Sequence, residues 1–264
     1  WITLKNWKYV LFLLIMCLFW AAFNQLYYSF PVFIEQWVDT GTLYRGIKSV
    51  WPWLAESIGT PEGTITTVTF TSMDAFFIIV FQIVISTLVM RFRPLAAMMG
   101  GILILMGGIG LMFSSQNGWL VLMGIFVFGI GEMASSPKFT EYVGRIAPAD
   151  KKALYMGTSF LPYAGGHALA GWLSGDIYEK IADKIYLIQQ EVAKRGISIP
   201  EISEGFTKND YIKMASQKLG MDGSTLDNFL WTNYHPSNIL FIYSGVALSA
   251  VVLLWVYDRF IIGK

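Results

Sequence analysis

Residues 119–143 read WLVLMGIFVFGIGEMASSPKFTEYV. The stretch from Trp119 to Gly131 carries no charge, and the whole run exceeds the roughly 20 helical residues needed to cross ~30 Å of hydrocarbon. Glu132 then stands in the middle, where a charge costs roughly 3 kcal/mol on insertion scales and so marks a functional position facing the interior of a helical bundle. Ser136 lies one turn on and shares its face. Gly129 and Gly131 permit close approach of a neighbouring backbone, and Pro137 frees a carbonyl one turn back, which a membrane helix tolerates beside a cavity or a partner helix. The stretch therefore reads as a cavity-lining membrane helix.

The same length test applied outward gives six spans: Tyr9 to Trp37, Phe70 to Met90, Leu95 to Phe113, Trp119 to Val143, Leu154 to Ile177 and Ile239 to Tyr257. Composition agrees, since the 264 residues are 55% hydrophobic and 14% charged, against roughly a quarter charged in soluble domains. That excludes an ordinary soluble enzyme. Lys5, Lys8, Arg91, Arg93, Arg145, Lys151, Lys152, Arg259 and Lys264 fall on one side of the six spans, and the short loops opposite hold Arg45 and Lys48. This bias predicts cytoplasmic termini in a plasma or inner membrane. The first span follows basic residues but is too long for a signal-peptide core and lacks a small-x-small cleavage site, so it reads as a retained helix.

The connection from 178 to 236, between the fifth and sixth spans, is expected outside. Ile177, Ile181, Ile185, Ile188 and Val192 have helical spacing, Gly196 is a stop signal, and Thr207 with Asp210 resembles a capping box, so two or three amphipathic helices should form a small cap. The net charge of +1, without a basic run, excludes nucleic acid as a main partner. The lone Cys17 has no second cysteine for a disulfide or a metal site.

Two further groups of polar residues fall inside apolar runs. Asp74 sits about one turn inside the second span, and the first span carries Asn24, Gln25, Tyr28 and Ser29, with Asn24/Tyr28 and Gln25/Ser29 each spaced i, i+4. His167, in the small-residue segment Gly165 to Gly171, reads as a packing or hydrogen-bonding residue, and His235 as a solvated one. The tryptophans, among them Trp37, Trp51, Trp53, Trp119 and Trp231, fall near span ends as an interfacial belt.

Phe19-Trp20-Ala21-Ala22-Phe23-Asn24-Gln25, Asp74-Ala75, Gly131-Glu132 through Ser136-Pro137, and Ala147-Pro148 leading to Met156-Gly157 and Gly165-Gly166-His167-Ala168-Leu169-Ala170-Gly171 together resemble the carboxy-terminal half of proton-coupled oligopeptide transporters of the major facilitator superfamily. The resemblance covers five of the six spans. It implies an all-α membrane protein in which residues 1–264 form one six-helix half of a major facilitator fold, with a helical extracytoplasmic loop at 178–236. It further implies that Glu132 faces the central cavity and holds a peptide's amino terminus, while Asn24, Asp74 and Ser136 line that cavity. Asp74 stands where the family usually has asparagine, Phe23 and Asn24 where some members have acidic residues, and Ser159 where tryptophan is common. The family's amino-terminal half, with its proton-coupling motif, would come from further residues of the chain or from another chain.

The expected function is secondary transport of di- or tripeptides, or of similar small polar solutes, together with protons by alternating access. The expected substrate-binding residues are Asn24, Gln25, Tyr28, Asp74, Glu132, Ser136 and Ser159. No covalent chemistry, cofactor or metal is expected; the partners are the bilayer, the solute, protons and the other six-helix half. The alternatives are a major facilitator transporter of another solute, a noncatalytic membrane scaffold, or an intramembrane enzyme using Asp74 and Glu132 as paired carboxylates. The enzyme lacks a ligand-spaced cluster or a nucleophile followed by a nearby histidine, and Met106-Gly107-Gly108-Ile109-Gly110 lies mid-membrane, where glycines pack helices.

Overall fold

A computed structural model describes residues 3–263; Lys264, counted in the charge bias, lies outside them. The described residues are helical throughout, with isolated bridges and no strand. Five helical segments are long and apolar enough to cross a membrane, Trp7–Trp37, Thr67–Val89, Pro94–Phe113, Gly118–Ile146 and Pro236–Ile262, and they point to an integral membrane protein. They correspond to five of the six expected spans.

The first of them is not one regular helix. α1 (Trp7–Phe23) ends in a 3-10 turn, Asn24–Leu26, and α2 (Ser29–Trp37) resumes after Tyr27 and Tyr28. The polar cluster of the first span thus sits at a break. Two short helices unanticipated from the sequence follow, α3 (Thr40–Val50), capped by Asp39, and α4 (Pro52–Ile58), with Pro52 in the first turn where its missing N–H is harmless. The long helices α5 (Thr67–Val89), α6 (Pro94–Phe113) and α7 (Gly118–Ile146) come next.

The expected span from Leu154 to Ile177 differs from the reading above. Instead of one uninterrupted helix there are α8 (Lys152–Thr158) and α9 (Leu161–Trp172), the latter running through a π-helical turn, Leu173–Ile177, into α10 (Tyr178–Ala182). Pro162 explains the break, because it has no N–H to continue the preceding turn and fits only in the first turn of α9. α11 (Lys184–Lys194), α12 (Lys208–Leu219) and α13 (Gly223–Tyr234) form the long connection, and α14 (Ile239–Val256) closes the chain.

Hydrocarbon is as apolar as leucine, so close packing and hydrogen bonds hold such helices together more than water exclusion does. α6 and α7 show how. A Cβ on Gly101 would lie 2.8 Å from the Gly131 carbonyl oxygen, and one on Gly131 would lie 2.6 Å from the Gly101 carbonyl oxygen. Seven residues along each helix, a Cβ on Gly108 would run into the Phe128 backbone and one on Gly124 would lie 2.7 Å from the Met112 backbone nitrogen. The two helices therefore touch backbone to backbone along a glycine seam, as the mid-membrane glycines lead one to expect. Gly107 and Gly110 face open space.

α1 is the hub, with Phe12, Met16 and Phe19 fully buried, and it packs on α9 by the same device. Gly165 faces Cys17 Sγ and Gly166 faces the Trp20 Cβ. Trp51, Trp53 and Trp119 are exposed as a belt requires, but Trp37 is 4% exposed; it packs against Trp231 and donates to the Ala182 carbonyl at 2.9 Å. It is a core residue because the long connection folds back over it.

That connection is the small helical cap expected. The Thr207–Asp210 capping box is formed, Gly196 adopts a positive φ after α11, and Asp183 breaks the Ile177–Val192 periodicity by capping α11. Gln36 of α2 anchors the cap, donating to Asp183 Oδ2 at 2.8 Å and accepting from the Lys184 backbone at 3.1 Å. Lys184 in turn pairs with Asp227 at 2.5 Å.

Candidate functional site

The seam that joins α6 to α7 also orients the residues around it. Gly124 and Gly131 are turned toward α6. Gly129 and Glu132, one turn apart on a different face, are turned toward α5, because a Cβ on Gly129 would meet Asp74 Oδ1 at 2.9 Å and Phe77 Cβ at 4.0 Å. Only Phe70 and Asp74 of the 23 residues of α5 are buried, so the one acidic residue of this helix is also one of its two most buried.

Asp74 is 1% exposed, and its carboxyl interacts directly with that of Glu132, which is half-buried. Among the described residues no donor reaches either Asp74 oxygen or Glu132 Oε2. The lysine that might have balanced Glu132 is engaged elsewhere: Lys138 pairs with Glu141 at 2.8 Å and reaches the Phe92 carbonyl at 3.5 Å. Arg145 completes that second cluster, 2.5 Å from Glu141.

Two tyrosines absent from the sequence reading border the carboxyls. Tyr27, in the turn between α1 and α2, acts electrostatically on both Asp74 and Glu132. Tyr163 of α9 lies beside Glu132 and Ser136. Aromatic spacing alone does not separate such residues from ordinary packing, and only the break at Asn24–Leu26 turns Tyr27 toward the site. Behind them runs an aromatic wall, with Tyr163 stacked on Trp20 at 3.8 Å, Trp20 edge-on to Phe23 at 5.1 Å, and Phe23 stacked on Phe128 at 5.6 Å. Trp20 Nε1 near the end of α1 and Asn24 Nδ2 in the turn after it, both buried, also lack partners among the described residues.

The remaining expected site residues are placed differently. Gln25 is bonded inside the bundle, donating to the Ala21 and Ala170 carbonyls and accepting from Ser29, which itself lies 2.5 Å from the Tyr243 hydroxyl. This chain of bonds ties α1, α2, α9 and α14 together. Tyr28 is exposed and meets His167 Nδ1 at 3.3 Å, the hydrogen-bonding role expected of that histidine. Ser159 is buried and donates to the Met156 carbonyl at 2.6 Å, inside the turn that separates α8 from α9. Ser136 borders the carboxyl pair through Tyr163, whereas its neighbour Ser135 is spent on the Gly131 carbonyl at 2.7 Å. Of the seven expected residues, Asp74 and Glu132 meet directly, and Ser136 lies beside them next to Tyr163.

A second polar region lies at the far end of α2, a cavity of about 590 Å³ lined by Glu35, Asp39, Asn117, Lys184 and Asp227 beneath the helical cap. Burial opposes ionisation of Asp39, yet hydrogen bonds from Thr42 and the charge of Arg45 outweigh it and hold the carboxyl below its ordinary range. Among the described residues no three or more His, Cys, Asp or Glu side chains are grouped to hold a metal ion. Two facing carboxyls without a donor are equipped to take up a proton or an organic cation. Compared with protein-family models, with curated proteins and with solved structures, the chain matches none.

Proposed function

We propose that this chain is one six-helix half of a secondary transporter of the major facilitator type, with α9 and the π-helical turn after it making the fifth crossing in chain order, and that it carries small amine-bearing solutes, short peptides foremost. One observation carries the reading: Asp74 and Glu132 meet between two long apolar helices with no cation beside them. A charge kept at that depth marks a substrate or ion path. Transporters of this kind place their site near the midplane at the junction of two halves, with interrupted helices around it. The breaks at Asn24–Leu26 and between α8 and α9 support that comparison.

In this reading Glu132 holds the substrate ammonium, and Ser136 and Tyr163 supply hydrogen bonds at its side. Tyr27 and the Trp20–Phe23 wall bound the apolar part of the solute. Gln25 and Ser159 act in packing, since their polar atoms are already engaged. A second six-helix half completes the site, and both termini of this half lie in the cytoplasm with the 178–236 cap outside.

Glu132→Gln keeps the size of the side chain and removes its charge. Loss of a charge-assisted hydrogen bond is worth roughly 1.5 to 3 kcal/mol, or about 10- to 150-fold in affinity. Binding of an amine-bearing dipeptide to the intact transporter should weaken by that factor, while an N-acetylated dipeptide, which lacks the ammonium, should show no comparable loss. Wild-type affinity for the amine-bearing ligand in Glu132→Gln would overturn the assignment.

A further inference from the structure

Asp74 and Glu132 are in contact, yet both oxygens of Asp74 and Oε2 of Glu132 meet no donor among the described residues. Two ionised carboxylates do not rest against each other in an apolar interior, because each lacks hydration and each repels the other. A contact between two groups that both only accept becomes attractive when one of them carries a hydrogen. We propose that Asp74 and Glu132 bind one proton between them, as a carboxylic acid donating to a carboxylate, and that this pair is a proton-binding site within this half.

The burial of the two partners divides the roles. Asp74 is 1% exposed and wedged beside the bare Cα of Gly129, so it holds the proton. Glu132, half-buried, keeps the negative charge and is the partner that a solute can reach. The groups facing the pair are Tyr27 from the turn after α1 and Tyr163 from α9, both uncharged hydroxyls, while Lys138 of α7 is paired with Glu141. No described lysine, arginine or histidine forms an ion pair with either carboxyl. An asparagine at position 74 would supply a donor to Glu132 without a proton, so the acid at this position makes occupancy of the pair depend on protons from solvent. The proton enters and leaves as H⁺ with no other group altered.

The part this proton plays in transport rests on the function proposed above; its presence does not. Infrared spectra of the intact protein in an ester-free detergent near neutral pH, without substrate, read it directly. The wild type should show a C=O stretch of a protonated carboxyl. Asp74→Asn and Glu132→Gln should each lose that band, because the new amide supplies the donor and the remaining carboxylate no longer needs the shared proton. A wild-type spectrum without the band, or a band unchanged by both substitutions, would refute the shared proton. Either failure leaves the substrate measurements on Glu132→Gln standing, so the two readings fall separately.

Discussion

Replacing Gly131 with alanine adds a methyl group where the structure has backbone on the other side. The new Cβ would lie 2.6 Å from the Gly101 carbonyl oxygen and 2.7 Å from the Leu105 Cα. Favourable contacts between such atoms lie at about 3.5–4.0 Å, and no flexible side chain is present to yield, so α6 and α7 must move apart by about 1 Å. Overpacking of this kind costs roughly 1–3 kcal/mol. Alanine also gains up to ~1 kcal/mol over glycine in helix propensity, which would mask part of the loss. Gly107→Ala removes that ambiguity: it makes the same change on α6 at a site with nothing within 4 Å. Subtracting one variant from the other cancels the propensity and leaves the packing cost. At about 2–4 °C per kcal/mol for a chain of this size, Gly131→Ala should melt about 2–12 °C below Gly107→Ala in thermal unfolding followed by circular dichroism. Equal melting temperatures would show that the helices do not meet at these glycines, and the orientation of Glu132 argued from that seam would fall with them.

Three other outcomes are expected. If the basic residues mark the cytoplasmic side, a membrane-impermeant thiol reagent on intact cells should label Lys194→Cys and spare Arg93→Cys; the opposite pattern would invert the topology. Because Lys138 pairs with Glu141, stability changes in the Glu132→Gln and Lys138→Met cycle should add within about 0.5 kcal/mol, and a larger coupling would mean that Lys138 balances Glu132 after all. In the cap, hydrogen bonds from Thr207 hold Asp210, and those from Thr225 hold Asp222, below the usual carboxylate range; burial works against ionisation of Glu191, but Tyr234 and Arg195 hold it low as well. Groups lowered in this way stabilise the fold fully above their unfolded values and lose that contribution as the pH drops through their folded ones. Hydrogen-exchange protection of α12 and α13 should therefore hold from neutral pH to about pH 5 and fall toward about pH 3; unchanged protection at the acid end would contradict it.

The amino-acid sequence reveals the parts of this molecule that a bilayer penalises. Asp74 and Glu132 each stand out because each interrupts an apolar run, but that their carboxyls meet is seen only once α5 lies against α7. The Thr207–Asp210 box is local chemistry, complete within four residues, and it forms as read. What escapes is whatever depends on a second segment. Gln25 and Ser29 show the same i, i+4 polarity in a site as in a structural relay, and only the arrival of Tyr243 from α14 distinguishes the two. Trp37 looks interfacial until residues 178–236 fold over it. Tyr27 and Tyr163 belong to the carboxyl site through a helix break and a neighbouring helix, neither of which leaves a periodic signal. The break before Pro162 is local, yet a run rich in glycine and alanine conceals it when hydropathy alone is followed.

The glycine seam has a mechanical consequence. Helices that touch backbone to backbone have almost no slack between them, so α6 and α7 behave as one stiff spar, and Glu132 is fixed to it. α5 fully buries only Phe70 and Asp74 and otherwise lies against the spar through half-buried side chains such as Phe77 and Phe81, which meet Phe126 edge-on. Rocking of α5 against the spar would then be felt at the joint where the carboxyl pair lies. The same two side chains that would register a proton are those that a tilt of α5 would pull apart, which makes the distance between them a gauge of the bundle's motion. Spin labels placed on the exposed faces of α5 and α6, at Ile83 and Ile104, would read that gauge from outside without touching either carboxyl.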